Sequence, residues 1–245
     1  MQQQVWPTFV DFGLVDRDYT FLKNFISKEE STLAYNHSLV KAINPFQTED
    51  SQTICWDLRV NDSIGLALLY SVKKKMEAYA NKKLFPTYCY YRIYKEGSTL
   101  SPHKDRESCE YSATICLGYN NSNMPDHYNW PFVVDGNLFL MEPGDAVLYK
   151  GCDAIHSRIG KYRGIAQTQI FLHYVDAEGP FKDFKHDKHC ETNCLLCEIE
   201  DKSLFDIYPG MPFEECFFFF VTSIMCSFGF LLTLTTFGIK ITDLD

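Results

Sequence analysis

The stretch LSPHKDRESCEYSATICLGYNN, Leu100 to Asn121, places an imidazole and a carboxylate two residues apart, just ahead of an alternating, strand-like run. In extended backbone, residues i and i+2 point to the same side. His103 and Asp105 therefore aim at one point. That geometry suits two ligands of one metal ion, provided a third arrives from elsewhere in the chain. The remaining histidines that could supply it are His127, His156, His173, His186 and His189. His156 stands out because it closes the run EPGDAVLYKGCDAIH (142–156), in which a Pro-Gly-Asp turn feeds a strand.

Working outward, the texture of the chain changes near Pro86. Upstream, FLKNFISKEE (21–30) reads as a short strand followed by a helix, with Ser27 and Glu30 at capping-box spacing. Leu33, Leu39 and Val40 are among the apolar positions expected along that helix. A second amphipathic helix follows, with Leu66, Leu69, Tyr70, Val72 and Met76 at near-helical spacing and Lys73 to Lys75 on its wet face. Downstream, short runs rich in Tyr, Ile, Val and Phe alternate with Gly, Pro, Asn and Asp turns, the spacing of an all-β sandwich or barrel. The fold class is α+β, mainly β: support in residues 1–84, a β core in 85–177, a polar linker containing cysteine and histidine in 178–212, and an apolar segment in 213–240.

The chain has 245 residues, 46% of them apolar and 16% aromatic, which is enough to bury a full core. Its net charge of −9, with no basic run longer than Lys73–Lys75, argues against nucleic acid as a partner. Ten scattered cysteines and a start without a basic or apolar leader point to a cytosolic domain with reduced thiols. Cys190, Cys194 and Cys197, with His186 and His189 upstream, are zinc-ligand types, but all lie in one short stretch. A solvated cysteine cluster, lipidated if a membrane segment follows, is the competing reading. Cys216 to Ile239 carries no charge in 24 residues. As a helix it would cover about 36 Å, against a hydrocarbon core of about 30 Å. The expectation is a C-terminal membrane anchor, and the alternative a buried β-rich tail.

Two imidazoles and a carboxylate with open positions form the facial triad of non-haem iron oxygenases. YRIYKEGSTLSPHKD (91–105), EPGDAVLYKGCDAIH and TQIFLHYVD (168–176) together resemble the iron- and 2-oxoglutarate-dependent dioxygenases, in their prolyl-4-hydroxylase-like branch. The resemblance covers residues 85–177 and, more loosely, the lead-in at 21–30. It implies a double-stranded β-helix, or jelly roll, with flanking N-terminal helices. It also implies Fe(II) on His103, Asp105 and His156, 2-oxoglutarate as cosubstrate, O2 as oxidant, and room for ascorbate. The implied reaction couples decarboxylation of 2-oxoglutarate to hydroxylation of a peptidyl side chain, a small molecule or a lipid.

The chain departs from the family where the cosubstrate is held. An Arg or Lys is expected nine or ten residues after the second histidine, and Ile165 and Ala166 stand there instead. Counting back from the end of the last strand puts Gln167 at that position. Arg158, Lys161 and Arg163 are nearby, and a guanidinium is the natural bidentate partner of a carboxylate. Arg163 is the expected clamp, with Arg92 as its rival and a surface cation as the bland alternative. Tyr94, on the same strand face as Arg92, resembles a family tyrosine that hydrogen-bonds 2-oxoglutarate; core packing is the other explanation for it. The departure keeps open a non-catalytic metal-binding module on the same fold and, less well supported by an intact triad, a membrane-tethered adaptor.

Overall fold

The computed structural model describes residues 17–42, 48–49 and 52–187. Among the described residues no helix is long and apolar enough to cross a membrane. Cys216 to Ile239 lies outside them, as do His189, Cys190, Cys194 and Cys197. His186 is described, and its Nδ1 faces the Tyr70 hydroxyl at 3.4 Å.

The chain opens with strand β1 (Tyr19–Leu22) and helix α1 (Lys28–Lys41). The helix starts where expected. Ser27 Oγ accepts from the Glu30 amide at 3.1 Å, and the Glu30 carboxylate accepts from the Ser27 amide at 2.7 Å. Its buried face is not the expected one: Leu33 and Val40 are 63% and 81% exposed, while Ser31, Ala34 and Ser38 point inward. Small residues on this face let the helix lie close to the sheet, with the Tyr35 ring filling the space over Gly118. Ser38 Oγ meets Thr168 Oγ1 at 2.9 Å, and a Cβ on Gly118 would lie 2.6 Å from the Tyr35 ring. Strands β2 (Thr48–Glu49), β3 (Thr53–Cys55) and β4 (Asp57–Val60) follow. The expected second helix divides at Val72 into α2 (Ser63–Ser71) and α3 (Lys73–Ala80), yet Leu69, Val72 and Met76 are buried as the periodicity requires. Asn81 ends α3 with φ +51°, a left-handed cap.

The β region begins with β5 (Leu84–Tyr94) and β6 (Thr99–Leu100). It continues through β7 (Tyr111–Asn120), β8 (Phe132–Val134), β9 (Asn137–Phe139), β10 (Ala146–Tyr149), β11 (His156–Arg158) and β12 (Ala166–Asp176). The major sheet has the order β1-β10-β7-β12-β5-β4, so strands from the N-terminal region form both its edges. Two smaller sheets have the orders β11-β8-β9 and β2-β3-β6.

Strand alternation sorts the side chains of the major sheet into two faces. Leu84, Cys89, Tyr91 and Ile93 of β5, Ala113, Ile115 and Leu117 of β7, and Ile170, Leu172 and Tyr174 of β12 pack with α1, α2 and α3. The opposite face meets the β11-β8-β9 sheet through Cys116, Val147, Tyr149, Phe132 and Val134. That inner space also holds polar residues that are fully or nearly fully buried: Arg92, Ser112, Thr114, Arg158, Gln167, Gln169 and His173. Polar groups buried at this density incur a desolvation cost unless they find partners, and Ser112, Thr114, Gln167 and Gln169 find theirs in one another and in their neighbours.

Candidate metal centre

The site begins as a piece of backbone ladder. The His103 amide donates to the His156 carbonyl at 3.1 Å, and the His156 amide donates back at 3.0 Å. This pairing joins the segment after β6 to β11 and brings the two imidazoles to 4.2 Å between ring centres. Asp105 is fixed by its own amide, which donates to the Gly151 carbonyl at 2.9 Å. Gly151 permits that approach: a Cβ there would lie 2.2 Å from the Cys109 carbonyl and 2.8 Å from Asp105 Oδ2.

The protons of the two imidazoles are accounted for. His103 Nδ1 lies 2.7 Å from the Ser101 carbonyl, and His156 Nδ1 lies 3.1 Å from the Ala154 carbonyl. A carbonyl only accepts, so each Nδ1 carries the hydrogen and each neutral ring presents a lone pair at Nε2. Those two atoms lie 3.7 and 3.5 Å from Asp105 Oδ1. Three electron-pair donors therefore converge, all within 4.8 Å of one another, and a cation is what such a set accommodates. Burial, and then the nearby His156, push the His103 imidazole below its usual value, which keeps it a neutral ligand. Burial alone would raise the Asp105 carboxyl. The neighbouring His156, and then His173 and His103, more than offset it and hold the carboxyl below its ordinary value.

The rings of Tyr149 and Phe132 flank His156, with centres 4.6 and 6.0 Å away, and exclude water from one side. A cavity of about 240 Å³ opens beside Asp105 and is lined by Asp105, Cys109, Arg106, Arg92, Tyr88 and Tyr90, among others. The structure thus brings His103, Asp105 and His156 together and puts Arg92 on the wall of the same cavity. Arg92 stands opposite Gln169 across the β5–β12 pair, and Tyr94 opposite Gln167. Tyr94 is fully buried; burial raises its hydroxyl pKa, while the fields of Arg92 and Arg158 act to lower it.

Arg163 is placed elsewhere. It is exposed in the loop before β12, where its amide donates to the Tyr128 hydroxyl and its carbonyl accepts from Asn123. The loop ties to its neighbours through the Arg163 backbone, and its exposed side chain is not among the residues lining the cavity beside Asp105. Arg158, named in the sequence beside Arg163 but not preferred, lies two residues beyond His156 on β11 and is 5% exposed. Its Nη1 donates to the Trp130 carbonyl at 2.6 Å, while Nε and Nη2 are buried without a hydrogen-bond partner. Aromatic rings surround it, those of Trp130, Phe132 and Tyr94 at 4.8, 5.5 and 6.0 Å. The signal was present in the sequence: the two-residue spacing that pairs His103 with Asp105 also pairs His156 with Arg158.

No family model and no curated protein sequence matches the chain. Solved structures do. A viral collagen prolyl hydroxylase from Paramecium Bursaria Chlorella virus-1, solved with 2-oxoglutarate, matches with a TM-score of 0.51 at 10% identity, covering 66% of this chain and 98% of its own. The non-haem α-ketoglutarate-dependent epimerase SnoN of nogalamycin biosynthesis matches with a TM-score of 0.52 at 14% identity, covering 66% of this chain and 79% of its own. AviO1 from Streptomyces viridochromogenes Tue57 matches with a TM-score of 0.50 at 12% identity, covering 66% of this chain and 91% of its own. At these identities the likeness is one of fold, and the chain has the α+β fold of the Fe(II)- and 2-oxoglutarate-dependent oxygenases, prolyl hydroxylases among them.

Proposed function

We propose that the chain is an Fe(II)- and 2-oxoglutarate-dependent dioxygenase that hydroxylates an organic substrate, in the first instance a peptidyl side chain. The observation that carries this reading is the convergence of His103 Nε2, His156 Nε2 and an Asp105 oxygen, with both imidazole protons committed to carbonyls on the far side of the rings. The major sheet and the β11-β8-β9 sheet serve as the two walls of a jelly roll around that point. Bound iron supplies the oxidising chemistry that couples decarboxylation of 2-oxoglutarate to hydroxylation, and ascorbate is an optional reductant.

The protein's own residues hold the ligands, place the cosubstrate and keep out water. In this reading the cosubstrate's distal carboxylate is held by Arg158 rather than Arg163, with Arg92 and Tyr94 on the opposite wall. Residues i and i+2 of a strand are ~6.6 Å apart, close to the length of a five-carbon diacid, so one end can reach the metal beside His156 while the other meets Arg158. Charge supports the choice. Arg158 is enclosed without a carboxylate partner among the described residues, and burial lowers its pKa. A buried unpaired cation costs several kcal/mol, and an incoming carboxylate offsets much of that cost.

The test is an anaerobic titration of the full chain in detergent with Fe(II) and then 2-oxoglutarate. A visible metal-to-ligand charge-transfer band is expected, saturating at one equivalent of each and absent from His103→Ala. No band at any cosubstrate concentration would overturn the reading. The 24 uncharged residues from Cys216 to Ile239 support a second proposal, that the catalytic unit is held on the cytosolic face of a membrane. Alkaline carbonate should leave the full chain in the pellet, and its release in folded form would remove the anchor from the account.

A further inference from the structure

Beside the triad lies a second set of donor atoms that the proposed reaction does not use. His173, on β12, is 1% exposed, and Cys109, in the turn before β7, is 2% exposed. A donor atom from each lies within 4.8 Å of the other and of an Asp105 carboxylate oxygen. The protons in this cluster can also be placed. Ser112 Oγ donates its one hydrogen to the Cys109 carbonyl at 3.1 Å, so it can only accept from His173 Nδ1, 2.8 Å away. His173 Nδ1 therefore carries the hydrogen, and Nε2 presents a buried lone pair without a hydrogen-bond partner. Asp105 Oδ2 is also buried and without one, because the two triad histidines face Oδ1.

From this geometry we infer a second cation site formed by Cys109, His173 and Asp105, with the Asp105 carboxylate bridging the two sites through its two oxygens. It rests on the oxygenase reading only in that Asp105 is shared. Thiolate, imidazole and carboxylate are together the ligand set of a thiophilic divalent ion of the zinc class, and three protein ligands leave a position open. Binding exchanges the Cys109 S–H bond for a sulfur–metal bond and releases the proton to solvent. The ion has a route in, since Cys109 and Asp105 both line the 240 Å³ cavity. Arg92 and Arg106 on the same wall oppose a second cation, so sulfur, imidazole and carboxylate must bind it together. The Tyr88 hydroxyl, 3.2 Å from Cys109 Sγ, fixes the position of that sulfur. The site would regulate the reaction: an ion on Oδ2 draws electron density from the carboxylate that also serves the triad.

The probe is Co(II), added anaerobically to the full chain in detergent. Its thiolate-to-cobalt charge-transfer band in the near ultraviolet reports sulfur ligation independently of any turnover. Because Cys190, Cys194 and Cys197 offer other thiols, the triple variant Cys190→Ser/Cys194→Ser/Cys197→Ser is the reference. That reference should bind two equivalents of Co(II) and show the band. Adding Cys109→Ser should remove the band and one equivalent, and His173→Gln should do the same. Adding His103→Ala should remove one equivalent and keep the band, so failure of the triad and failure of this site are separable. A reference protein that binds one equivalent without the band would overturn the inference. So would unchanged stoichiometry in both the Cys109→Ser and His173→Gln variants, which would leave His173 as a positioning residue for Asp105.

Discussion

Alanine at His103 or Asp105 is expected to abolish conversion of 2-oxoglutarate to succinate, and the same holds for His156. Loss of an outer partner of a metal ligand typically costs ~10–100-fold in affinity or activity, and removal of a ligand itself costs more. The main chain should tolerate these changes, because the reciprocal amide–carbonyl bonds between residues 103 and 156 do not involve the side chains. Asp105→Asn is the sharper variant. It keeps the shape of the side chain and the amide bond to Gly151, and removes only the negative charge that completes the donor set. Succinate release under aerobic, iron-replete conditions checks this, beside circular dichroism of each variant. Release at the wild-type rate in any one of them would remove that residue from the triad.

The second large effect is expected at Arg158. Arg158→Met should raise the 2-oxoglutarate requirement by roughly 10- to 150-fold, the equivalent of losing a charge-assisted hydrogen-bonded pair worth about 1.5–3 kcal/mol. The same variant should be as stable as the wild type, or more so, without cosubstrate. It replaces a buried cation lacking a counter-ion with an apolar side chain among Trp130, Phe132 and Tyr94. A ligand-free protein that is no weaker, combined with a lost thermal shift on adding 2-oxoglutarate, separates a binding role from a packing role. Arg163→Ala should change neither quantity, since that side chain is in solvent. The reverse pattern, a silent Arg158→Met and a crippling Arg163→Ala, would return the clamp to the loop before β12.

Much of this site could be read from local spacing, and what escaped depended on approach between distant segments. His103, Asp105 and His156 were legible because a two-residue interval on extended backbone and a turn-fed strand are local features. The capping box at Ser27 and Glu30 was legible for the same reason. The burial of helix α1 was not, because it is decided by Gly118, some eighty positions later, which lets Tyr35 settle onto the sheet. Leu33 and Val40 look like core residues until that contact is known. Counting along the chain from His156 leads to Arg163 in a loop, whereas the strand face leads to Arg158, the clamp proposed above. The cluster of Cys109 with His173 has no motif at all. It arises because β12 pairs with β7 and sets His173 against Ser112.

The reciprocal bond between residues 103 and 156 also bears on how long an ion stays. Two ligands hang from residues that are each other's ladder partners, so neither can drift away without the other unless the local pairing opens. Departure of a bound ion is thereby tied to fraying of one short piece of β structure, and residence time becomes a property of local opening as much as of ligand strength. Conversely, an ion bridging the two rings links both segments and suppresses that opening. Slow amide exchange at positions 103 and 156 would thus record occupancy from the main chain, with no need of the ion's own spectrum.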